Sequence, residues 1–379
     1  MNYFITGGAG FIGANFVKYI LRTHPDARVT VVDALTYAGN IDNLAEEIRD
    51  GRIRFIHASI NDAEAMARAF EETEPDFVVN FAAETHVDRS ITGPRVFADT
   101  NILGTMTLLE AARRAWRRPD GSWLSGKRFL HISTDEVYGS LPKEYGEPKP
   151  IAIPDDIRAL VARRHDVPAA FGSGFFTEKT PLAPRSPYSA AKASADMMVM
   201  AWHHTYGLPV NITRCSNNYG PMQFPEKLIP LLINNIQQGR ELPVYGKGLN
   251  VRDWLYVDDH CSAIDAVLLH GRPNEVYNIG GFNEKTNIDI VRQVVDLVAE
   301  FTGTAPRHDL ITYVTDRPGH DMRYAIDPHK TAAELGWVPL TTFEQGIRRT
   351  VRWYLDNPEW VRKIVSGEYM DYYKKQYNR

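Results

Sequence analysis

The first 135 residues alternate short runs of β-branched and aromatic residues with stretches long enough for helices, and this alternation constrains the fold most. Tyr3 to Thr6, Arg28 to Val32, Ile53 to His57, Phe77 to Phe81 and Arg128 to Ser133 read as strands. Phe11 to Thr23, Ile41 to Arg49, Ala63 to Glu72 and Arg95 to Trp116 read as the helices between them. Strands joined through helices run parallel, and the helices cover both faces of the sheet. Ligands of such sheets bind beyond the carboxyl ends of the strands.

Five prolines between Leu141 and Gly174 break the pattern around one helix-compatible piece, Asp155 to Arg164, and this stretch reads as a long excursion. A helix over Tyr188 to Tyr206 and a strand over Pro209 to Arg214 follow. Beyond Tyr219 come proline-bounded helices, strands at Trp254 to Val257 and Val276 to Ile279, and helices at Asn287 to Phe301 and Phe343 to Asn357. The expected division is a dinucleotide-binding part over 1–214, interrupted at about 141–174 and rejoined at about 251–282, with 215–379 mainly a smaller lobe.

With 44% apolar and 24% charged residues among 379, the chain can build a large core. A formal charge of −4 gives no field suited to nucleic acid or to an anionic membrane. Two cysteines, Cys215 and Cys261, with no CxxC or Cys/His cluster, point away from a disulfide scaffold and a metal site. No basic leader or ~20-residue apolar run is visible. The expectation is a soluble cytoplasmic protein.

Three motifs carry chemistry. Gly7, Gly10 and Gly13 lie between a strand and a helix, where glycine permits a tight turn, close approach of backbone to a pyrophosphate, and helix–strand contact. Asp33 ends the second strand 20 residues after Gly13, placed for ribose hydroxyls and against a 2′-phosphate, which favours NAD over NADP. Its plainer reading is a residue that starts a turn. Tyr188 and Lys192 are one helical turn apart, so the ammonium can stabilise a phenolate base. On an ordinary exposed helix the same pair only meets solvent. Asp135 and Glu136 follow Ser133-Thr134 at a strand's carboxyl end, where two carboxyls can divide acid and base work if their surroundings separate their pKa values. Adjacent residues of a strand point apart, so a shared site requires a turn there. The alternative is a plain acidic turn.

Together these residues resemble the extended short-chain dehydrogenase/reductase superfamily, and within it the sugar-nucleotide 4,6-dehydratases. The resemblance covers nearly the whole chain, through Thr6 to Gly13, DALTYAGN from Asp33, FAAETHVDRS from Phe81, Ile132 to Gly139, YSAAK from Tyr188, CSNNYG from Cys215, FPEKLIP from Phe224, RDWLYV from Arg252 and DRPGHD from Asp316. Epimerases of the superfamily typically lack the Asp-Glu pair. The resemblance implies an α/β chain with a Rossmann-like doubly wound parallel sheet and a smaller mixed α/β C-terminal substrate domain. It implies a hydro-lyase that uses NAD on a nucleoside-diphosphate glucose, with dTDP-glucose the expected substrate, although thymine and uracil are not distinguished by these residues.

By the same resemblance, Tyr188 with Lys192 and Thr134 serves oxidation at C4, Glu136 takes the C5 proton, and Asp135 protonates the leaving 6-hydroxyl. Gly7, Gly10, Phe11, Ile12, Gly13, Asp33, Ala34, Leu35, Thr36, Ser59, Ile60, Phe81, Ala82, Ala83, Thr85, Thr100 and Asn218 are implied at the NAD site with Tyr188 and Lys192. Thr85, Thr134, Asn217, Lys227, Leu228, Pro243, Val244, Tyr245, Arg252, Asn287, Asp316, Arg317, Pro318, Gly319 and His320 are implied around the nucleotide sugar. Arg252 is the expected diphosphate clamp; its plainer reading is a rim ion pair with Asp253 or Asp258.

Two features depart from the family pattern. Ser59 stands where an aspartate usually meets the adenine, and the 141–174 stretch is long enough to be either a lid or a passive surface insertion. His86 reads as a structural hydrogen-bonded residue, and Met197, Met198 and Met200 as core or interface. A homodimer built on the helices near Ile102 to Trp116 and Tyr188 to Tyr206 is implied. No metal is expected.

Overall fold

A computed structural model describes residues 1–141, 174–316 and 319–365. The helix expected at 155–164, nearly all of the 141–174 stretch, Arg317 and Pro318 lie outside the described residues. Strands β1 (Asn2–Thr6), β2 (Arg28–Asp33), β3 (Ile53–His57), β4 (Phe77–Asn80), β5 (Arg128–Thr134) and β6 (Val210–Cys215) are followed by β7 (Asn217–Tyr219), β8 (Leu242–Tyr245), β9 (Val251–Tyr256), β10 (Val276–Ile279), β11 (Glu284–Thr286) and β12 (Ile311–Val314). Seven of them form one sheet in the order β10-β6-β5-β4-β1-β2-β3, and every pairing in it is parallel.

Side chains of the central strands alternate between two cores, as a period of two requires. Tyr3, Ile5, Val29, Val31 and Leu130 pack with Phe16, Val17, Ile264 and Val267 from the Phe11–Thr23 and Val257–His270 helices. Phe4, Val32, Val78 and Phe129 pack on the other face with Met66, Phe70, Leu108, Leu109 and Val199. Both faces are covered, so the strands read as nearly continuous apolar runs. The expected Arg95 to Trp116 helix is continuous but mixed: a short α-turn at Pro94–Phe97, a π-helical segment at Ala98–Gly104, and an α-helix at Thr105–Trp116. A widened turn of this kind commonly marks a functional wall. Here a Cβ on Gly104 would stand 2.6 Å from the Ile60 side chain.

The smaller lobe holds a three-stranded sheet, β11-β9-β7, and a two-stranded one, β12-β8. The expected Trp254 strand thus belongs to the small sheet as β9, whereas β10 closes the edge of the large one. A third core, including Ile229, Leu232, Val244, Ile290, Val294, Phe343 and Ile347, lies among the helices Leu228–Gln237, Asn287–Thr302 and Phe343–Asp356.

Residues 323–327 tie down both ends of the excursion. Leu141 N–H donates to Arg323 O (3.0 Å), Phe176 N–H donates to Ala325 O (2.8 Å), and Asp327 N–H donates back to Phe176 O (2.9 Å). The Arg323 guanidinium, 1% exposed, forks onto Glu284 and reaches Gly174 O at 2.6 Å.

Candidate active site

The carboxyl ends of the strands define the site. Thr6 pairs in register with Val32 and Asn80, and Thr134 with Cys215, so the ends of β1, β2, β4, β5 and β6 lie along one edge. One cavity opens there. Its wall takes Gly7, Gly10, Phe11, Ile12, Gly13, Asp33, Ala34, Thr36, Ser59, Ile60, Phe81, Ala82, Ala83, Thr85, Thr100 and Asn218, together with Thr134, Asp135, Glu136, Tyr188, Lys192, Asn217 and Lys227.

The glycine loop is shaped for a dinucleotide. Gly7 has φ +67°, and a Cβ on it would stand 2.6 Å from Ala82 N; a Cβ on Gly13 would stand 2.8 Å from Gly8 Cα. Only hydrogen in place of a side chain lets these segments close. Gly10 caps the Phe11–Thr23 helix, whose first turn carries no acidic residue, so free N–H groups and the helix dipole face the cavity unopposed. Asp33 is both turn anchor and cavity wall: Oδ2 accepts Ala9 N–H (2.9 Å) and Oδ1 accepts Leu35 N–H (2.8 Å). Burial raises its carboxyl pKa, and those two N–H groups work against the rise. Each oxygen retains acceptor capacity for a ribose hydroxyl. These residues fit NAD.

Thr134, Asp135, Tyr188 and Lys192 are buried, not exposed as a plain helix or turn would have them. Thr134 ends β5, and Asp135–Tyr138 is a 3₁₀ turn whose cap is the Thr134 hydroxyl accepting Glu136 N–H (3.3 Å). That turn lets both carboxyls face one cavity. Asp135 is 1% exposed; Thr134 Oγ1 donates to its Oδ1 (3.2 Å), and its Oδ2 has no hydrogen-bond partner. Burial first, and then the charge of Glu136, push its pKa well above the ordinary carboxyl value, with Arg252 opposing. A carboxyl raised in this way favours its protonated form.

Tyr188 and Lys192 lie on the buried side of the Pro187–Tyr206 helix, which a Ser186–Ser189 capping box starts. Burial, followed by Glu136, Cys215 and Asp135, raises the Tyr188 phenol well above its usual value, and Thr134 pulls the other way. Lys192 lies one turn along the buried side of the same helix. Lys192 Nζ donates to Ile132 O (2.6 Å) and lies 3.3 Å from His131 Nε2. Burial lowers its pKa to about 8, with Asp196 opposing. The lysine thus ends a buried polar chain: His131 Nδ1 faces Asn80 Nδ2 (3.2 Å), which also donates to Thr105 Oγ1 (3.1 Å), while Thr6 Oγ1 donates to Asn80 Oδ1 (2.7 Å).

The residues expected around the nucleotide sugar divide into groups. Lys227, on the cavity wall, donates to Thr85 O (3.0 Å). Arg252 is 5% exposed and buried under Tyr324 (4.2 Å to the ring centroid), donating to Val251 O (2.8 Å) and Asp321 O (2.9 Å). It is not a rim residue, and Asp253 spends its carboxylate on Gly281 and Asn283 N–H groups. Tyr245 donates to Asp88 (3.2 Å) and meets the ring of His320 edge-on, and His320 Nδ1 lies 2.5 Å from Asp316 Oδ1. Gly319 adjoins Arg185 O, Pro243 pairs beside Thr312 in the small sheet, and Leu228 starts its helix next to Lys227. Three more residues are set by local structure. The Val244 side chain is buried in the third core, Asn287 begins a helix with its N–H on Asn250 O (3.0 Å), and Leu35 contributes its backbone N–H to Asp33.

Reading the sequence by motif passes over Glu84, Cys215, Ser216, Gln223 and Glu226, which also line the cavity. Glu84 and Glu226 are buried carboxyls beside Thr85 and Lys227, and burial raises both. Their signal was their position inside FAAETHVDRS and FPEKLIP. His86 caps the Val87–Thr92 helix. Met198 and Met200 pack on the sheet, whereas Met197 is 57% exposed. Among the described residues no cluster of metal-ligating side chains occurs.

A parallel sheet of this order, a glycine turn and a Tyr-Lys helix at its carboxyl edge define an NAD-dependent sugar-nucleotide enzyme class, and the chain belongs to the NAD dependent epimerase/dehydratase family, whose pattern matches residues 3–280. Its relatives narrow the comparison. The dTDP-glucose 4,6-dehydratase 1 of Escherichia coli K12 is 51% identical over 378 residues, covering 100% of this chain and 99% of that protein. The dTDP-glucose 4,6-dehydratase of Bacillus anthracis, solved with NAD, superposes with a TM-score of 0.79 at 46% identity over 96% of this chain and 99% of that one. DesIV of Streptomyces venezuelae, a dTDP-glucose 4,6-dehydratase also solved with NAD, gives 0.81 at 44% identity over 96% and 100%.

Proposed function

We propose that this chain converts dTDP-glucose to dTDP-4-keto-6-deoxyglucose and water, as a hydro-lyase that retains NAD. The observation that carries this reading is the pair at the end of β5: Asp135 and Glu136 share the cavity with Tyr188, and burial pushes the Asp135 carboxyl well up. Epimerisation requires redox chemistry at C4 alone, whereas elimination across C5 and C6 requires an acid and a base together.

The glycine loop, Asp33 and the Phe81 to Ala83 strand end would hold NAD, which when bound supplies the oxidation at C4 and the matching reduction at C6. Lys192 and Thr134 counter the burial of Tyr188 and favour its phenolate, which takes the proton of the 4-hydroxyl. The ketone acidifies the C5 proton, which Glu136 removes while Asp135 gives its proton to the departing 6-hydroxyl. Glu136 then returns a proton to C5, and the proton held by Tyr188 replaces the one lost from Asp135, so the balance closes. Lys227, Asn217 and the buried Arg252 serve the diphosphate side. Ser59 in place of the usual aspartate leaves the adenine side to a neutral hydroxyl, which accepts Asn61 N–H (3.2 Å).

The same proposal assigns NAD to 1–214 with 251–282 and the nucleotide sugar mainly to 215–379. A homodimer is supported by exposed apolar residues Ile91, Val96, Leu103 and Met197 on the packed helices that flank the site. A reducing, cytoplasmic setting suits two buried free thiols, and among the described residues no helix is long and apolar enough to cross a membrane. Turnover of dTDP-, UDP-, CDP- and GDP-glucose, with products identified by mass and NMR, tests the activity. A dTDP-sugar product of unchanged mass, or turnover that consumes added nicotinamide stoichiometrically, would defeat it.

A further inference from the structure

A cofactor that is oxidised and reduced within one turnover must stay bound between turnovers, and this chain holds its cofactor loop from outside. The segment from Ala34 to Leu44 leaves β2 at Asp33 and lines the cavity with Ala34, Thr36, Ala38 and Gly39. It folds back on the glycine loop at one carbonyl. Ala9 O accepts both Asn40 N–H (3.1 Å) and the Asn43 side-chain amide (2.9 Å), while Ala9 N–H donates to Asp33. Gly7 N–H on Val32 O (2.8 Å) and Gly10 N–H on Gly7 O (3.2 Å) hold the loop from within, and the two bonds to Ala9 O hold it from outside.

Asn43 is 4% exposed and faces two ways. Its Nδ2 reaches inward to Ala9, and its Oδ1 accepts the indole N–H of Trp360 at 2.7 Å. Trp360 comes from the Pro358–Val365 helix, 317 positions along the chain from Asn43. It is braced by Trp353 and Tyr354, with ring centroids at 5.0 and 6.0 Å. Tyr354 in turn donates to Gln223 O (2.5 Å), and Gln223 lies on the cavity wall with its amide on Asn218 O (2.9 Å). One helical hairpin therefore grips the cofactor loop and the opposite wall at once.

We propose that Trp360 and Asn43 form a latch, a pair of positioning residues that fixes the 34–44 loop against the glycine loop and so slows the release of NAD. The inference rests on the NAD site described above. It predicts a separation of effects, because neither residue is among those assigned to the sugar or to proton transfer.

Trp360→Phe removes the N–H and keeps an aromatic ring in place. The protein is purified, its NAD content is measured after gel filtration, and NAD release is timed by rapid filtration. The variant is expected to release NAD about tenfold faster or more, the scale of one lost buried hydrogen bond. With saturating added NAD, its kcat and its KM for dTDP-glucose are expected to stay within about threefold of wild type. Asn43→Ser should give a similar rise, and the double variant little more, since both cut one path. Lys363→Met, which removes the exposed pair with Asp42, should leave release within about twofold. Wild-type release kinetics in Trp360→Phe would overturn the latch. So would a Trp360→Phe protein whose kcat at saturating NAD and urea midpoint both collapse, since that makes Trp360 merely structural. A wild-type chain that binds no NAD would instead remove the cofactor reading itself.

Discussion

Replacing Lys192 with methionine should stabilise the protein and disable it. Lys192 is fully enclosed, and its pKa falls from 10.5 to about 8 on folding. At about 1.4 kcal/mol per pH unit, keeping that ammonium charged costs the fold roughly 3 kcal/mol at pH 7. Methionine occupies similar space without a charge, but it forfeits the bond to Ile132 O, worth about 1 kcal/mol at every pH. Lys192→Met should therefore be about 2 kcal/mol more stable than wild type at pH 7. Between about pH 8 and 10.5 the unfolded wild-type chain holds the proton and the folded chain has lost it, so wild type gains stability as pH rises. The advantage of the variant should shrink across this window and reverse to a deficit of about 1 kcal/mol above it. Urea unfolding of NAD-stripped protein at pH 7, 8.5 and 10 measures the difference, and C4 oxidation should fall by a factor on the order of 10² or more. A variant less stable than wild type at pH 7, or a difference independent of pH, would refute the burial argument.

Glu136→Gln should leave C4 oxidation intact and slow elimination by about 10² to 10⁴, so that the reduced nicotinamide absorbance builds up with substrate; Tyr188→Phe should show no such band. Equal silence in both would remove the base role from Glu136. Arg252→Ala should raise KM through loss of a charged contact worth about 2 to 4 kcal/mol, read from initial rates, and an unchanged KM would give Arg252 a purely structural role at Val251 O, Asp321 O and Tyr324. Deleting 148–170 should leave folding, NAD content and activity within about tenfold; a drop beyond about a hundredfold in a folded protein would make that segment a lid.

Much of this architecture was legible because its signals are local. The central strands are buried on both faces, so their apolar runs stand out, and the glycines at 7 and 13 report a backbone closure that no other residue allows. The need for a turn at Asp135 followed from strand geometry and is met by the 3₁₀ turn. What escaped is set by distant partners. Asn217–Tyr219 and Glu284–Thr286 are three-residue polar strands that exist through pairing with β9. The ammonium of Lys192 also meets Ile132 O and His131, partners that spacing along one helix cannot show. Glu84 and Glu226 reach the cavity through folding of the loops that carry them.

The clamp at residues 323–327 has a bearing on how this chain can change. Leu141 and Phe176 are posts set in one short segment, with the Arg323 guanidinium bonded to Gly174 O, and the sequence runs 32 residues between Leu141 and Gly174. Doubling or halving a loop between fixed posts alters the entropy of closing it by only about 0.6 kcal/mol. Length is nearly neutral at this one place, between the turn that carries Asp135 and the helix that carries Tyr188, while a change at either post disturbs both. Descendants of such a chain can vary the cargo of that span and leave the spacing of acid, base and phenol untouched, which makes it a natural port for grafting a new segment.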